Sequence, residues 1–220
     1  MEFNDTVHKR RSIRKFKTDQ IEKEVIVEII KDALIAPSAH NKQPWNYYVF
    51  TLDKKVEIEN IIHEKITNKR ELSMYEKIMR KCLSFLKEAP VLILVYSGEE
   101  DTAPNDLLSL GASIENMLLS ATDKEIGSLW LGVITAFEDE INKYLDLKNK
   151  RLISGVVLGY KDEEPIPVFR KEFNDIVKFY WYLSKIYSII IMLQIGGMTD
   201  EKNKNIISFI DFILYGLQCK

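Results

Sequence analysis

The stretch Pro90-Val91-Leu92-Ile93-Leu94-Val95-Tyr96 is an unbroken apolar run that follows a proline. Neighbouring side chains of a strand point to opposite faces of the sheet, so this run leaves no face for solvent. The pattern predicts a central strand that is covered on both sides. Residues 47–52, 129–131 and 153–158 are also β-branched, aromatic or aliphatic, and we predict that they form further strands.

Helices are predicted between these strands, over residues 22–35, 53–68, 71–88 and 107–121. The last of them is apolar nearly all round, which predicts burial on every side, one of which could be a subunit interface. Pro37 is expected to end the first helix, and Gly127 the last. Because helices and strands mix without strict alternation, we predict an α+β layered fold.

Composition excludes several classes of protein. The 220 residues include 31 Lys+Arg and 33 Asp+Glu, for a net charge of −2, which argues against a dedicated nucleic-acid binder. The two cysteines, Cys82 and Cys219, cannot form a disulfide framework or a four-ligand zinc site. The first residues lack the order of a signal peptide, so a cytoplasmic location is expected.

The last forty residues differ in character from the rest. Residues 180–195 are mostly apolar with one lysine, and residues 206–217 are apolar again after a charged stretch. A membrane-spanning helix needs about 20 mostly apolar residues, so we favour a buried or partner-packed extension over a transmembrane segment. The predicted organisation is a domain over residues 1–179 and a hydrophobic extension over residues 180–220.

Familiar catalytic motifs are absent from the sequence. There is no Gly-x-Ser-x-Gly elbow, no zinc-binding spacing, no Walker A motif and no Gly-x-Gly-x-x-Gly turn. Ser38 and His40 stand close together, but no orienting carboxylate is evident. We therefore expect neither a catalytic side chain nor a metal ligand.

Three segments could instead bind a ligand. Arg10-Arg11-Ser12-Ile13-Arg14-Lys15-Phe16 concentrates cations and a hydroxyl suited to phosphate oxygens, and its apolar residues predict one edge docked on the core. Ala36-Pro37-Ser38-Ala39-His40-Asn41-Lys42-Gln43-Pro44-Trp45 predicts a stiff loop whose amides could address a planar heterocycle. Pro165-Ile166-Pro167-Val168-Phe169-Arg170-Lys171 adds a second cation cluster. Each segment alone is also compatible with an ordinary surface stretch.

Taken in order, the three segments resemble the nitroreductase family of flavin enzymes. The stretch Ile126-Gly127-Ser128-Leu129-Trp130-Leu131-Gly132 also fits, and the resemblance covers about residues 3–179. It implies a mostly antiparallel central sheet flanked by helices and an obligate homodimer with FMN at the interface. It also implies NADH or NADPH as electron donor and ping-pong transfer to nitroaromatics, quinones or related small acceptors.

The resemblance also implies roles for individual residues. FMN would be contacted, from its phosphate to its pyrimidine edge, by Arg10, Arg11, Ser12 and Arg14. Its phosphate would also be bound by Arg170 with Lys171. Four loop residues would lie against the flavin of the other subunit: Pro37, Ser38, Ala39 and Asn41. Ile134 and Thr135 match the stretch whose backbone runs near flavin N5. Cys82, Leu83 and Phe85 stand where many relatives carry an amide and a lysine.

Two alternatives stay open at this point. One is a specialised flavin relative, such as a dehalogenase or an azoline-forming oxidase. The other is a protein that binds flavin or a small anion without catalysing a reaction.

Overall fold

The computed structural model describes residues 2–67, 74–98 and 102–179. The chain divides into two compact units, residues 1–167 and 168–220. In the second unit the described residues form one short helix, α7 (Phe173–Ile176). The first unit contains, in chain order, α1 (Phe3–Lys9), α2 (Lys23–Leu34), β1 (Trp45–Thr51), α3 (Leu52–Thr67), α4 (Met74–Glu88), β2 (Val91–Ser97), α5 (Pro104–Asp123), β3 (Ile126–Leu131), α6 (Glu138–Leu145) and β4 (Arg151–Tyr160).

The four strands form one antiparallel sheet in the order β1-β2-β4-β3. Ile93 at the middle of β2 pairs with Val49 on β1 and with Val156 on β4. Every residue of β2 is buried. This confirms the predicted central strand and the α+β fold, because β2 has a strand on each side and helices over both faces.

The two faces of the sheet bury separate hydrophobic clusters. Successive side chains of β2 point to opposite faces of the sheet. Leu92 and Leu94 therefore belong to one cluster, and Ile93 and Val95 belong to the other. The first cluster contains side chains of α3 and α4, and the second contains side chains of α2 and α5.

One predicted helix end is wrong. The helix predicted over residues 107–121 begins at Pro104 and ends at Asp123, so Gly127 does not end it. Gly127 lies inside β3 instead, where a Cβ would come within 3.1 Å of both the Gly159 carbonyl oxygen and the Ile13 side chain. The glycine therefore permits the close approach of β3 to β4 and to the Ile13 side chain, and it does not cap a helix.

Within the chain, α5 is buried on one side only. Ile114 and Met117 are fully buried, whereas Leu108 is 73% exposed and Leu107 is 41% exposed. The sequence also gave no indication of α1 or α6, which are only seven and eight residues long. Such short windows carry little periodicity.

No helix in the described part of the chain is long and apolar enough to cross a bilayer. The apolar segments 180–195 and 206–217 lie outside the described residues.

Candidate functional site

The Arg10–Phe16 segment adds to the open edge of the sheet. Directly after α1 it runs parallel to β3, with a bridge between Ser12 and Ser128 and a hydrogen bond from the Ile13 N–H to the Ser128 carbonyl oxygen at 2.9 Å. Ile13 and Phe16 are 4% and 6% exposed. The prediction that these two residues dock the segment on the core is confirmed.

The docked edge directs the neighbouring side chains outward. Side chains alternate along an extended segment, so Ser12 and Arg14 point away from the side on which Ile13 is buried. Arg10 lies close to α5, where its Nε is 3.5 Å from a carboxylate oxygen of Glu115. The segment therefore presents two guanidinium groups and a hydroxyl between them.

Arg14 has the most defined surroundings. Its guanidinium donates to the Ser12 carbonyl oxygen at 3.2 Å and lies 5.9 Å from the centre of the Phe85 ring. Its backbone N–H donates to the carboxylate of Glu163 at 2.5 Å. Phe85 on α4, one of the residues that stand where many relatives carry an amide and a lysine, therefore borders Arg14. The side chains of Cys82 and Leu83 are outside the described part.

Arg11 lines a cavity of about 590 Å3. The lining of this cavity does not include Arg10, Ser12 or Arg14. Its guanidinium donates to the carbonyl oxygens of His8 and Arg10 at 2.6 and 2.8 Å. The cavity has more cations than carboxylates, since Glu125 and Glu164 face five basic residues: Lys9, Arg11, Lys17, Lys124 and Lys161. The neighbourhood of the segment therefore favours anions.

The second predicted segment forms the connection between α2 and β1. Ala39–Asn41 is a single turn of 3-10 helix, and His40, Asn41 and Gln43 all have positive φ, of 53°, 54° and 48°. Such conformations are costly for residues other than glycine and persist only when their surroundings hold them in place. Two bonds brace the turn, from the Gln43 N–H to Ser38 Oγ and from the Gln43 side-chain amide to the Asn41 side chain.

This loop packs on the first half of α5. The Ala39 N–H donates to Ser109 Oγ at 3.2 Å, and Lys42 pairs with the buried Asp106 at 2.8 Å. Pro37, Ser38 and Ala39 line an open pocket of about 280 Å3 together with α5. Ser109 and Glu115 are separated by roughly 9 Å along the helix axis, so the loop and Arg10 occupy different places on α5.

The connection after β3 carries the two residues assigned to flavin N5. Ile134 is 1% exposed and its side chain packs into the core, so only its backbone could meet a ligand. Thr135 is half-buried, and its hydroxyl donates to the Gly132 carbonyl oxygen at 3.0 Å. This agrees with a role for the main chain rather than for the side chains.

Arg170 and Lys171 belong to the second unit, where both are exposed. Among the described residues, no group of three or more His, Cys, Asp or Glu side chains could hold a metal ion. Sequence reasoning missed Glu163 and Glu115, the carboxylates that contact Arg14 and Arg10. No local pattern indicates either contact, because each joins residues that are more than 100 positions apart.

The fold and this edge define an α+β protein with a cationic segment docked beside its sheet. The family model of the nitroreductase family matches residues 7–160, and the chain belongs to this family. The resemblance stated from the sequence is thereby confirmed.

Individual relatives agree with this assignment. YfhC of Bacillus subtilis (strain 168), provisionally named an NAD(P)H nitroreductase, is 28% identical over 166 residues, covering 73% of this chain and 85% of YfhC. An Archaeoglobus fulgidus protein, provisionally named NADH dehydrogenase/NAD(P)H nitroreductase, is 32% identical over 178 residues, or 76% and 91% of the two chains. Iodotyrosine deiodinase of Thermotoga neapolitana is 32% identical over 133 residues, or 57% and 70%.

Solved structures confirm the fold. A mutant of the FMN- and NADPH-dependent nitroreductase NfnB from Sphingopyxis sp. strain HMH superposes with a TM-score of 0.75 at 17% identity, covering 82% of this chain and 99% of NfnB. A nitroreductase from Desulfovibrio desulfuricans, solved in complex with FMN, gives a TM-score of 0.66 at 22% identity, with 81% and 96% covered.

Proposed function

We propose that this protein is a cytoplasmic FMN-dependent oxidoreductase that transfers electrons from NADH or NADPH to nitroaromatic, quinone or similar small acceptors by a ping-pong mechanism. The observation that carries the proposal is the docked Arg10–Phe16 segment, which presents Arg10, Ser12 and Arg14 along the sheet edge. The names of the relatives and of the solved structures support it.

The residues fit a flavin mononucleotide. Guanidinium forks and a hydroxyl suit phosphate oxygens and ring carbonyls, and Arg11 with its neighbouring lysines raises the local positive potential. The turn at Ile134 and Thr135 offers backbone groups to the ring.

The bound flavin would supply the electron-transfer chemistry, and the chain's own residues would bind and orient it. Cations at the phosphate and at the pyrimidine edge would stabilise negative charge on the ligand. No side chain of this chain needs to act as general acid or base, so we assign none.

We further propose that the working unit is a homodimer. Leu108 is 73% exposed on α5, beside the pocket lined by Pro37, Ser38 and Ala39. An exposed apolar residue beside a pocket that the same chain leaves open suits an interface. In the dimer, the loop with Ser38 and Asn41 would face the flavin held by the partner's basic segment.

Absorbance spectroscopy tests the proposal directly. The purified protein should be yellow, and anaerobic NADH or NADPH should bleach it, followed by reoxidation on addition of a nitroaromatic or a quinone. Heat-released cofactor should chromatograph as FMN. A colourless protein that binds no added FMN would refute the proposal, and FAD in stoichiometric amount would refute the cofactor assignment. Bound flavin that neither nucleotide reduces would indicate a binding protein.

A second candidate is reductive dehalogenation, and the identity with iodotyrosine deiodinase favours it. In that reaction the aryl–halogen bond is replaced by an aryl–hydrogen bond. The reduced cofactor would supply two electrons, water would supply the proton of the new bond, and halide would leave. Iodide release from iodotyrosine with dithionite as reductant should be compared with nitroaromatic reduction by the same preparation. The faster turnover would identify the acceptor class.

A further inference from the structure

Glu163 connects the end of β4 to the basic segment. One of its carboxylate oxygens accepts the backbone N–H of Arg14 at 2.5 Å and that of Lys15 at 3.1 Å. Two successive amides therefore share one acceptor. Carboxylates are strong acceptors, and bonds to them are stronger than those between neutral groups.

This contact continues a short backbone ladder. The Lys17 N–H donates to the Tyr160 carbonyl oxygen at 2.8 Å, and the Asp162 N–H donates to the Lys15 carbonyl oxygen at 3.0 Å. Glu163 supplies an acceptor at the point where the segment turns from β3 toward β4. Glu163 thereby holds the N–H groups of the two peptides that flank the Arg14 Cα.

Fixing these two peptides also fixes the origin of the Arg14 side chain. The side chain is exposed, and its described contacts are the Ser12 carbonyl oxygen and the Phe85 ring. Without the carboxylate, the Arg14 backbone would lose a bond that defines its orientation. A guanidinium fork recognises a ligand only when its plane and position are set.

We infer that Glu163 is a positioning residue that orients Arg14 for contact with the flavin. This inference rests on the proposed function. The adjacent Glu164 offers a matched comparison, because it is a carboxylate on the same short segment whose side chain is 80% exposed and pairs with Lys161.

The test measures FMN affinity by fluorescence titration of the full-length apo-protein. Glu163→Ala should weaken binding about tenfold, the equivalent of one hydrogen bond to a charged group. Glu163→Gln should recover most of the affinity, because the amide oxygen can still accept both N–H groups. Glu164→Ala should not weaken binding, because it removes a carboxylate from the cationic cavity without changing the contacts of the Arg14 backbone. Circular dichroism melting confirms that each variant is folded.

A double-mutant cycle separates positioning from general stability. If Glu163 acts through Arg14, Glu163→Ala should have little further effect in an Arg14→Ala background. Fully additive losses would overturn the inference, as would unchanged affinity of Glu163→Ala. Should the alanine variant fail to fold, Glu163→Asp replaces it, since the shorter arm should lose affinity where Gln retains it. Wild-type protein that does not bind FMN would instead refute the proposed function.

Discussion

The ammonium group of Lys55 on α3 lies 2.7 Å from the main-chain oxygen of Leu86, in the last turn of α4. Lys55 is also paired with Glu59 one turn further along α3, and both side chains are buried. The final carbonyl groups of a helix lack partners within it. Lys55 therefore caps α4 from a neighbouring helix, next to Phe85, whose ring faces Arg14.

Replacing Lys55 with methionine should strongly destabilise the protein. The substitution leaves the Glu59 carboxylate buried without its cation, and the expected loss is about 3–5 kcal/mol in the free energy of unfolding. Lys54→Met is the control, because Lys54 is exposed and pairs with Glu57 at the surface; its cost should be at most about 1 kcal/mol. Urea unfolding should also show that Lys55→Met/Glu59→Leu recovers much of the loss. Equal effects at positions 54 and 55 would contradict the buried pair.

The centre of the fold could be predicted from the sequence, and its edges could not. The run at 91–96 was sufficient to identify the central strand because burial on both faces leaves no polar position. The end of α5 could not be located, because Gly127 serves the contact of β3 with Ile13 and Gly159. That contact is tertiary and has no local pattern.

The candidate site shows the same division. The docked edge of the basic segment could be predicted from Ile13 and Phe16, because apolar residues that interrupt a run of cations are expected to pack against the core. The acceptor that holds the Arg14 backbone is Glu163, 149 positions away, and nothing near either residue indicates the other. The positive φ values of His40 and Asn41 were likewise hidden, because the sequence there has no glycine.

Tyr47 should make stability sensitive to alkaline pH. Ser113 donates to the Ala33 carbonyl oxygen, so the Tyr47 hydroxyl donates to Ser113. Burial raises the pKa of Tyr47 above 10. The unfolded chain therefore loses this proton first, and the stability present below pH 10 falls as pH rises through the folded pKa.

Tyr47→Phe should therefore cost about 1 kcal/mol at neutral pH and reduce the decline in stability above pH 10. Urea unfolding at several pH values measures both effects, with Tyr160→Phe as a control at a half-buried tyrosine on β4. An unaltered alkaline decline in the Tyr47 variant would show that other groups cause it.

Arg14→Ala should weaken FMN binding about tenfold to a hundredfold, because a charge-assisted hydrogen bond contributes roughly 1.5–3 kcal/mol. The FMN affinity of Arg14→Lys should lie between those of wild type and Arg14→Ala, because lysine keeps the positive charge but lacks the paired donors of a guanidinium group. Arg151→Ala removes an exposed arginine from β4 and should leave the affinity unchanged. Fluorescence titration of apo-protein distinguishes these outcomes. An affinity that Arg14→Ala does not alter would assign Arg14 to the solvated surface.

Leu108→Glu should dissociate the proposed dimer and release flavin with it. A charge placed at the centre of an apolar contact cannot be solvated there. In the isolated chain, by contrast, position 108 is exposed, so the glutamate should not disturb the fold of the subunit. Val56→Glu introduces the same charge at an exposed position on α3 and should leave the dimer intact. Light scattering should give twice the 25.7 kDa chain mass for wild type. A wild-type monomer that is stable and loaded with flavin would contradict the shared site.

Removing the C-terminal extension should lower stability or solubility and leave the flavin in place. Residues 180–195 carry a single charge, Lys185, and a second apolar group follows at 206–217. Exposed together on a soluble protein, they would exceed the few hundred Å2 of apolar patch that is normally tolerated, so we expect a partner surface to cover them. Each Å2 covered contributes at most about 25 cal/mol.

The candidate ligand residues end at Lys171, so a chain that stops after Phe179 should still bind FMN if it folds. Thermal melting and the flavin-to-protein absorbance ratio measure the two effects separately. A chain that stops after Asn203 retains the first apolar segment and shows which of the two segments matters. A truncated protein that stays soluble and equally stable but cannot bind FMN would place the extension in the active site.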